Sequence, residues 1–219
     1  MIVPIERIHD HGEETSFKLL GVKFDEYLSF DAHISSVCAK ISKSLYCLNR
    51  IKNFVTPSAM KMLYFAMVHS HIVYCINVYS CANATSLRPL KLKQKEAIRI
   101  IGNVGYRDHT GPLFKRLAIL PLDELIKYAQ LKFMHSFHHK KLPLSFNETW
   151  ISNRARNPEI ALRNADDLYV PAHHFATTKR FPFFSMPRVW NEANEAKLNP
   201  SQRVFMKYVK SAMLNQINV

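Results

Sequence analysis

Between Ile34 and Ile51 the residues Ile34, Val37, Ile41, Leu45, Leu48 and Ile51 recur at spacings of three and four. That repeat puts them on one face of an α-helix and rules out a strand, whose side chains alternate with a period of two. Lys40, Lys43 and Arg50 fall on the opposite side, so the stretch reads as a helix with a buried seam and a cationic back. Asp31 follows Phe30 at the start of the pattern and is expected to cap it, its carboxylate accepting the orphan amide protons of the first turn. Ahead of this helix, Phe17 to Phe24 mixes apolar and basic residues around Gly21, and Asp25-Glu26 supplies turn chemistry. We read 17–24 as a short strand pairing with Ile2 to Ile8 across the polar stretch Asp10 to Thr15. Isolated hairpins are marginal, so this one needs a surface to cover it.

Downstream, Thr56-Pro57-Ser58 starts a second helix, with the hydroxyl as cap and proline at the first helical position. Met60, Leu63 and Met67 pack it, and it is expected to end or bend between His69 and Tyr79, where β-branched and aromatic residues blur the period. A third helix is capped by Thr85 or Ser86, tolerates Pro89 in its first turn, and ends at Gly102. Leu87, Leu90, Gln94, Ala97, Ile98 and Ile101 form its inner face, while Arg88, Lys91, Lys95 and Arg99 make a cationic stripe about a third of a turn away. A short helix near Pro112 to Leu117 and a longer one after Pro121 follow, the latter with Leu122, Leu125, Ile126, Ala129, Phe133 and Phe137 on one side. From Ser145 to Met186 the period is lost among Pro158, Pro171 and Pro182, which reads as an extended, loop-rich segment. A last helix, about Ser201 to Leu214, presents Phe205, Tyr208, Val209 and Ala212 at helical spacing. The fold class is mainly α: a small N-terminal β hairpin over residues 1–30, a helical bundle over 31–145, and a loop-rich C-terminal extension with a terminal helix over 146–219.

The formal charge of +13 is unevenly placed. Residues 1–31 carry three basic and seven acidic groups, 32–95 carry nine and none, and 96–219 carry eighteen and ten. Such a field suits nucleic acid, an anionic membrane surface or an acidic protein. Solvated helix faces are often lysine-rich, but they normally interleave both signs, and the sixty-four residues between Asp31 and Glu96 do not. The most apolar window, Met60 to Tyr79, is broken by Lys61, His69 and His71, so no membrane span is expected, and the first residues lack the charged-then-apolar layout of a signal peptide. Cys38, Cys47, Cys75 and Cys81 include no C-x-x-C pair and read as reduced, small core residues of an intracellular protein.

Candidate chemistry is sparse. Asn164-Ala165-Asp166-Asp167 carries adjacent carboxylates, but it lies in a loop-like stretch and lacks the structural context that a metal-binding pair needs. His69, His71, Cys75 and Cys81, or His135, His138 and His139, have no spacing that a zinc site requires. Five glycines leave no phosphate-cradling loop. No catalytic or metal-ligating residue is assigned, and no cofactor is called for. The basic stripes are the sharper signal. A helix that tracks phosphates needs cations on one face and an apolar anchor behind, which the first and third helices both offer. Contact by about six of Lys40, Lys43, Arg50, Arg88, Lys91, Lys95 and Arg99 predicts a log affinity against log salt slope near roughly −4 to −5, without base specificity.

Leu20-Gly21-Val22, Asp25, Leu28, Phe30 and His33-Ile34 resemble the LGV-x-x-D-x-x-L-x-F-x-x-HI signature of non-LTR (LINE-type, jockey/CR1-like) retrotransposon reverse transcriptases. Further landmarks follow in the family's order: Leu92 to Lys95 with Ala97 to Ile101, Pro112-Leu113-Phe114, Ile119-Leu120, Leu142-Pro143, and Pro187-Arg188-Val189-Trp190-Asn191. Leu19 and Tyr79 depart from it, standing where the family usually has an aromatic and a tryptophan. The resemblance covers about Phe17 to the C-terminus. It implies a primer-grip hairpin with Leu20, Gly21 and Val22 at its tip, leading into a helical thumb that holds template-primer duplex. The palm aspartates that bind Mg2+ in the full-length family lie upstream of the signature, and no such motif precedes Phe17 here. The chain is therefore expected to be a C-terminal portion of an RNA-directed DNA polymerase, no enzyme by itself. It would bind duplex or single-stranded RNA or DNA non-specifically, with the palm and fingers region as a further partner, in the nucleus or cytoplasm. The alternative is a helical scaffold or protein-interaction module drawn from such an element, whose cationic faces meet an acidic protein.

Overall fold

A computed structural model describes residues 16–160, 163–172, 175, 178–193, 199 and 201–217. It opens on a two-stranded antiparallel hairpin, β1 (Ser16–Leu19) and β2 (Val22–Asp25), in which Phe17 faces Phe24 and Leu19 faces Val22. Residues 17–24, read from sequence as one strand, thus fold back on themselves. Leu20 and Gly21 both take positive φ, 47° and 84°, the two-residue turn whose twist matches a hairpin. The expected partner strand, Ile2 to Ile8, lies outside the described residues. Val22 is 2% exposed against the helices, and Phe24 stacks on Phe17 and packs edge-on against Phe30.

Helix α1 (Asp31–Ile51) buries Ile34, Val37, Ile41, Leu45 and Leu48, as its periodicity requires. Its cap differs from expectation. The N-cap residue is Phe30 in a left-handed conformation, and Asp31 makes no capping bond. The entry is organised instead by Asp25, whose carboxylate accepts from the amides of Tyr27, Ser29 and Phe30 and from the Ser29 hydroxyl. One carboxylate thereby ties the end of β2 to the start of α1. Burial acts to raise the Asp25 pKa, but these hydrogen bonds outweigh it and hold the group below its ordinary value.

Helix α2 (Pro57–Tyr64) starts at the Thr56 cap, runs through a π-helical turn at Phe65–His69 and into α3 (Ser70–Val73). Tyr74 is extended and Cys75 left-handed, which breaks the helix before α4 (Ile76–Tyr79), inside the window where the sequence loses its period. Helix α5 (Ala84–Gly102) buries all six residues of its expected inner face. Its cap, however, is Asn83, whose side chain accepts from Ser86, and its stop is Asn103 in the left-handed region rather than Gly102. Pro89 consequently sits inside the helix. It is exposed, as is Thr85, so the helix bond it deletes lies on the solvent side, where the loss costs least.

After α6 (Gly111–Leu117), helix α7 (Leu122–His138) packs on two sides. The residues it buries include Gln130, Leu131, Met134 and His135, which the single-face reading passes over, because α9 (Pro182–Asn191) and α10 (Gln202–Gln216) cover its second side. Helix α9 falls where the sequence reads as loop up to Met186; Pro182 is its first residue and not a breaker. In α10 the buried residues are Phe205, Met206, Val209 and Met213, so the face is rotated from the expected one and Tyr208 is exposed. Between α7 and α9 the short α8 (Asn153–Arg156) and irregular segments hold Trp150 against Phe133, Phe137 and Phe183. Residues of the bundle and the C-terminal extension share one continuous core. The protein is mainly α with an N-terminal hairpin.

Candidate nucleic-acid interface

Helices α1 and α5 lie side by side and parallel. Asp31, Ile34 and Cys38 of α1 adjoin Asn83, Ser86 and Pro89 at the start of α5, and Leu45 and Asn49 adjoin Glu96 and Ile100 near its end. At 100° per residue, Lys40 projects from the side of α1 turned away from α5, whereas Arg50 lies over the Tyr46 ring beside the groove that α1 and α5 share. Lys91 of α5 reaches Asp123 at the start of α7, whereas Arg99 lies over the Tyr106 ring at the same groove. The two cationic sets therefore diverge at Lys40 and Lys91 and approach each other at Arg50 and Arg99.

The α1 flank continues onto the hairpin. Lys18 and Lys23 are cross-strand partners, an arrangement in which like charges repel, and neither is ion-paired among the described residues. The Lys23 amide lies against His33 Nδ1 at 3.5 Å. His33 is buried with Nε2 unpartnered, and burial, then the charges of Lys40 and Lys23, push its pKa down. Lys23 and Lys40 thus flank one imidazole. The row Lys18, Lys23, Lys40, Lys43, Arg50 runs from the hairpin down α1, its last three members spanning about 15 Å at 1.5 Å per residue. Lys40, Lys43 and Arg50 are exposed, and none is ion-paired among the described residues.

The α5 flank is more constrained. Lys91 pairs with Asp123 at 2.8 Å, and Arg99 donates from Nε to the Asp108 carbonyl at 2.9 Å while lying over the Tyr106 ring. Arg88 and Lys95 are exposed. The hairpin tip, Leu20 to Val22, is split by burial. Leu20 and Gly21 are exposed, with the Leu20 carbonyl accepting from the Tyr74 hydroxyl, whereas Val22 is a core residue.

Between the flanks, the C-terminal ends of α1 and α5 enclose an open groove of about 420 Å³ with Leu45, Ile100 and Val104 among its lining. Two tyrosines that the sequence reading passed over stand in it: Tyr46, with Arg50 over its ring at 5.9 Å, and Tyr106, with Arg99 at 6.0 Å. Tyr46 carries a signal in sequence, an aromatic on the polar side of an amphipathic helix. Tyr106 carries none, being a loop residue among polar neighbours. Its position comes from a closed turn: the Val104 amide bonds to the Arg99 carbonyl, and Asp108 accepts from the Gly105 amide at 2.8 Å.

The remaining motifs are structural. Trp190 is buried among His138, Phe205 and His135, and the Asn191 side chain clamps Leu168 by accepting from its amide at 2.9 Å and donating to its carbonyl at 2.8 Å. Tyr79 is buried, packs against His33 and donates its hydroxyl to the Ile72 carbonyl. Asp166 is exposed and paired with Arg154 at 2.9 Å. Among the described residues no three His, Cys, Asp or Glu side chains converge on a metal position, and no helix is long and apolar enough to cross a membrane. All four cysteines are free thiols, and Cys47 is exposed, not a core residue as expected. Comparison with protein-family models, with curated proteins and with solved structures finds no match.

Proposed function

We propose that this chain is the hairpin-and-thumb portion of a protein resembling non-LTR retrotransposon reverse transcriptases, and that it grips nucleic acid by its phosphates without performing chemistry itself. The observation that carries this reading is the row of five cations along the hairpin and α1, set on a core that anchors it and free of ion pairs among the described residues. Juxtaposed lysines repel one another, and a phosphate backbone relieves that repulsion. No base-reading side chain accompanies the row, so binding is sequence-indifferent. A titration of labelled duplex and single-stranded probes across a salt series tests the grip, and a flat response refutes it. Magnesium-dependent primer extension on primed RNA by the purified chain refutes the claim that it performs no chemistry.

A second reading has one observation in its favour: Lys91 on the α5 flank is already paired with a carboxylate, Asp123. On that reading the α5 flank receives an acidic protein. A variant with Arg88, Lys91, Lys95 and Arg99 changed to alanine that loses such a partner while retaining nucleic-acid binding supports it.

A further inference from the structure

The groove between the ends of α1 and α5 has properties that phosphate contact alone does not require. Tyr46 is 66% exposed and Tyr106 is 82% exposed. Neither contributes to the core, yet each has an arginine over its ring. The loop that carries Tyr106 is fastened at three points, through the Val104 amide, the Gly105 amide and Arg99 Nε. An exposed aromatic on a fixed turn is a rigid platform, which an aromatic on a frayed loop is not. The lining combines apolar residues, Leu45, Ile100 and Val104, with the polar side chains of Asn49, Lys52 and Glu96. The volume of about 420 Å³ lies in the range of small-molecule sites, roughly 300–1,000 Å³.

We infer that this groove holds an unpaired nucleotide of a single strand, its base stacked on Tyr46 and Tyr106 and its flanking phosphates met by Arg50, Lys52 and Arg99. Aromatic platforms beside cations are the chemistry by which proteins hold unstacked bases without reading sequence. Arg50, the last member of the α1 row, lies over the Tyr46 ring, so a duplex lying along the row delivers its unpaired end to the tyrosines. A planar base also explains why the site is an open slot between two helices rather than an enclosed cavity. An acidic peptide would use the arginines but has no need of two exposed rings. The inference rests on the phosphate-gripping reading above.

The decisive comparison is between two oligonucleotides of equal length and charge, a decathymidylate and the same backbone with abasic sites, titrated by fluorescence anisotropy at fixed low salt. The base-bearing strand is expected to bind about five- to 150-fold more tightly, the range that one stacked base provides. Tyr46→Ala with Tyr106→Ala is expected to bring the two probes to one affinity, while Tyr46→Phe with Tyr106→Phe retains the preference because the rings remain. Both tyrosines are exposed, so the variants keep the fold, which circular dichroism checks. Equal binding of the two probes by the unaltered protein, or a preference that survives the double alanine variant, overturns this inference alone. Absence of binding by either probe overturns it together with the phosphate grip.

Discussion

Neutralising the α1 row is the perturbation that most directly measures what the fold has assembled. Five cations, Lys18, Lys23, Lys40, Lys43 and Arg50, lie along the hairpin and α1, while in the α5 set Lys91 is already paired with Asp123 and Arg99 is bonded to the Asp108 carbonyl. A short duplex laid on this flank meets about five charges, and counterion release then gives a log affinity against log salt slope near −4.5, or near −3.5 for a single strand. Raising salt from 50 to 200 mM should weaken duplex binding by about 500-fold. Changing Lys40, Lys43 and Arg50 together to alanine leaves two of the five, so the slope should flatten to about −1.8 and the same salt step should cost only about twelvefold. All three side chains are exposed and carry no ion pair among the described residues, and alanine favours the helix, so the fold persists. Fluorescence anisotropy at four or five salt concentrations, with the melting temperature as a control, is the assay. The α5 variant with Arg88, Lys91, Lys95 and Arg99 replaced should change the duplex slope less, because Lys91 and Arg99 are already engaged by Asp123 and by the Asp108 carbonyl. Equal flattening by both variants, or an unchanged slope in the α1 variant, refutes the reasoning.

Other outcomes follow from the packing. Gln94 is 1% exposed and donates from Nε2 to the Tyr64 hydroxyl at 3.2 Å and the Leu120 carbonyl at 3.0 Å; Gln94→Ala strands both groups and opens a void, which should cost roughly 2–4 kcal/mol in urea denaturation. Burial raises the pKa of the Tyr64 hydroxyl to about 12, so an alkaline absorbance titration should show a tyrosine ionising well above the ordinary value of 10.0, and Tyr64→Phe should remove that step. Asp25→Ala removes four hydrogen bonds from the hairpin–α1 junction and should destabilise by about 1–2 kcal/mol. Because the native Asp25 pKa lies below its ordinary 3.8, its contribution is full above that value and is lost as pH falls through the native pKa. His33, His69 and His135 are each pushed below their ordinary 6.5, first by burial. The unfolded chain then takes up more protons, so stability should fall progressively below about pH 6.5, and His33→Gln should reduce that slope.

Which residues a helix turns inward was readable from spacing alone. The seam of α5 matches residue by residue, and that of α1 at five of six positions, with Ile51 half-buried and His33 and Ser44 added, because the neighbours of each helix crowd one side and impose a single 3.6-residue period. The same logic misled at α7 and α10. α7 is covered on two sides, so Gln130 and His135 are buried beside Leu131 and Met134, and no one-face pattern describes it. Capping was the other weak point. Several carboxylates, amides and hydroxyls stand near each helix start, and sequence offers Asp31, Thr85 and Ser86 as readily as the groups that do the work, Asp25 and Asn83. The choice depends on the direction from which the chain arrives, which the turn at Leu20-Gly21 and the left-handed Phe30 decide.

For the candidate interface the division is similar. The sequence by itself determined the amounts: a mainly helical chain, a long carboxylate-free stretch, and cations held off the apolar seams by periodicity. Tertiary structure decided which of those cations share a flank. Packing α5 parallel to α1 brings Arg50 and Arg99 to one groove and leaves Lys40 away from it, while folding the hairpin beside His33 joins Lys18 and Lys23 to the α1 row. It also set Tyr46 and Tyr106, sixty residues apart, on one groove. Local periodicity fixes a side chain's angle about its own helix axis, whereas the relation between two axes is fixed only when their buried faces meet.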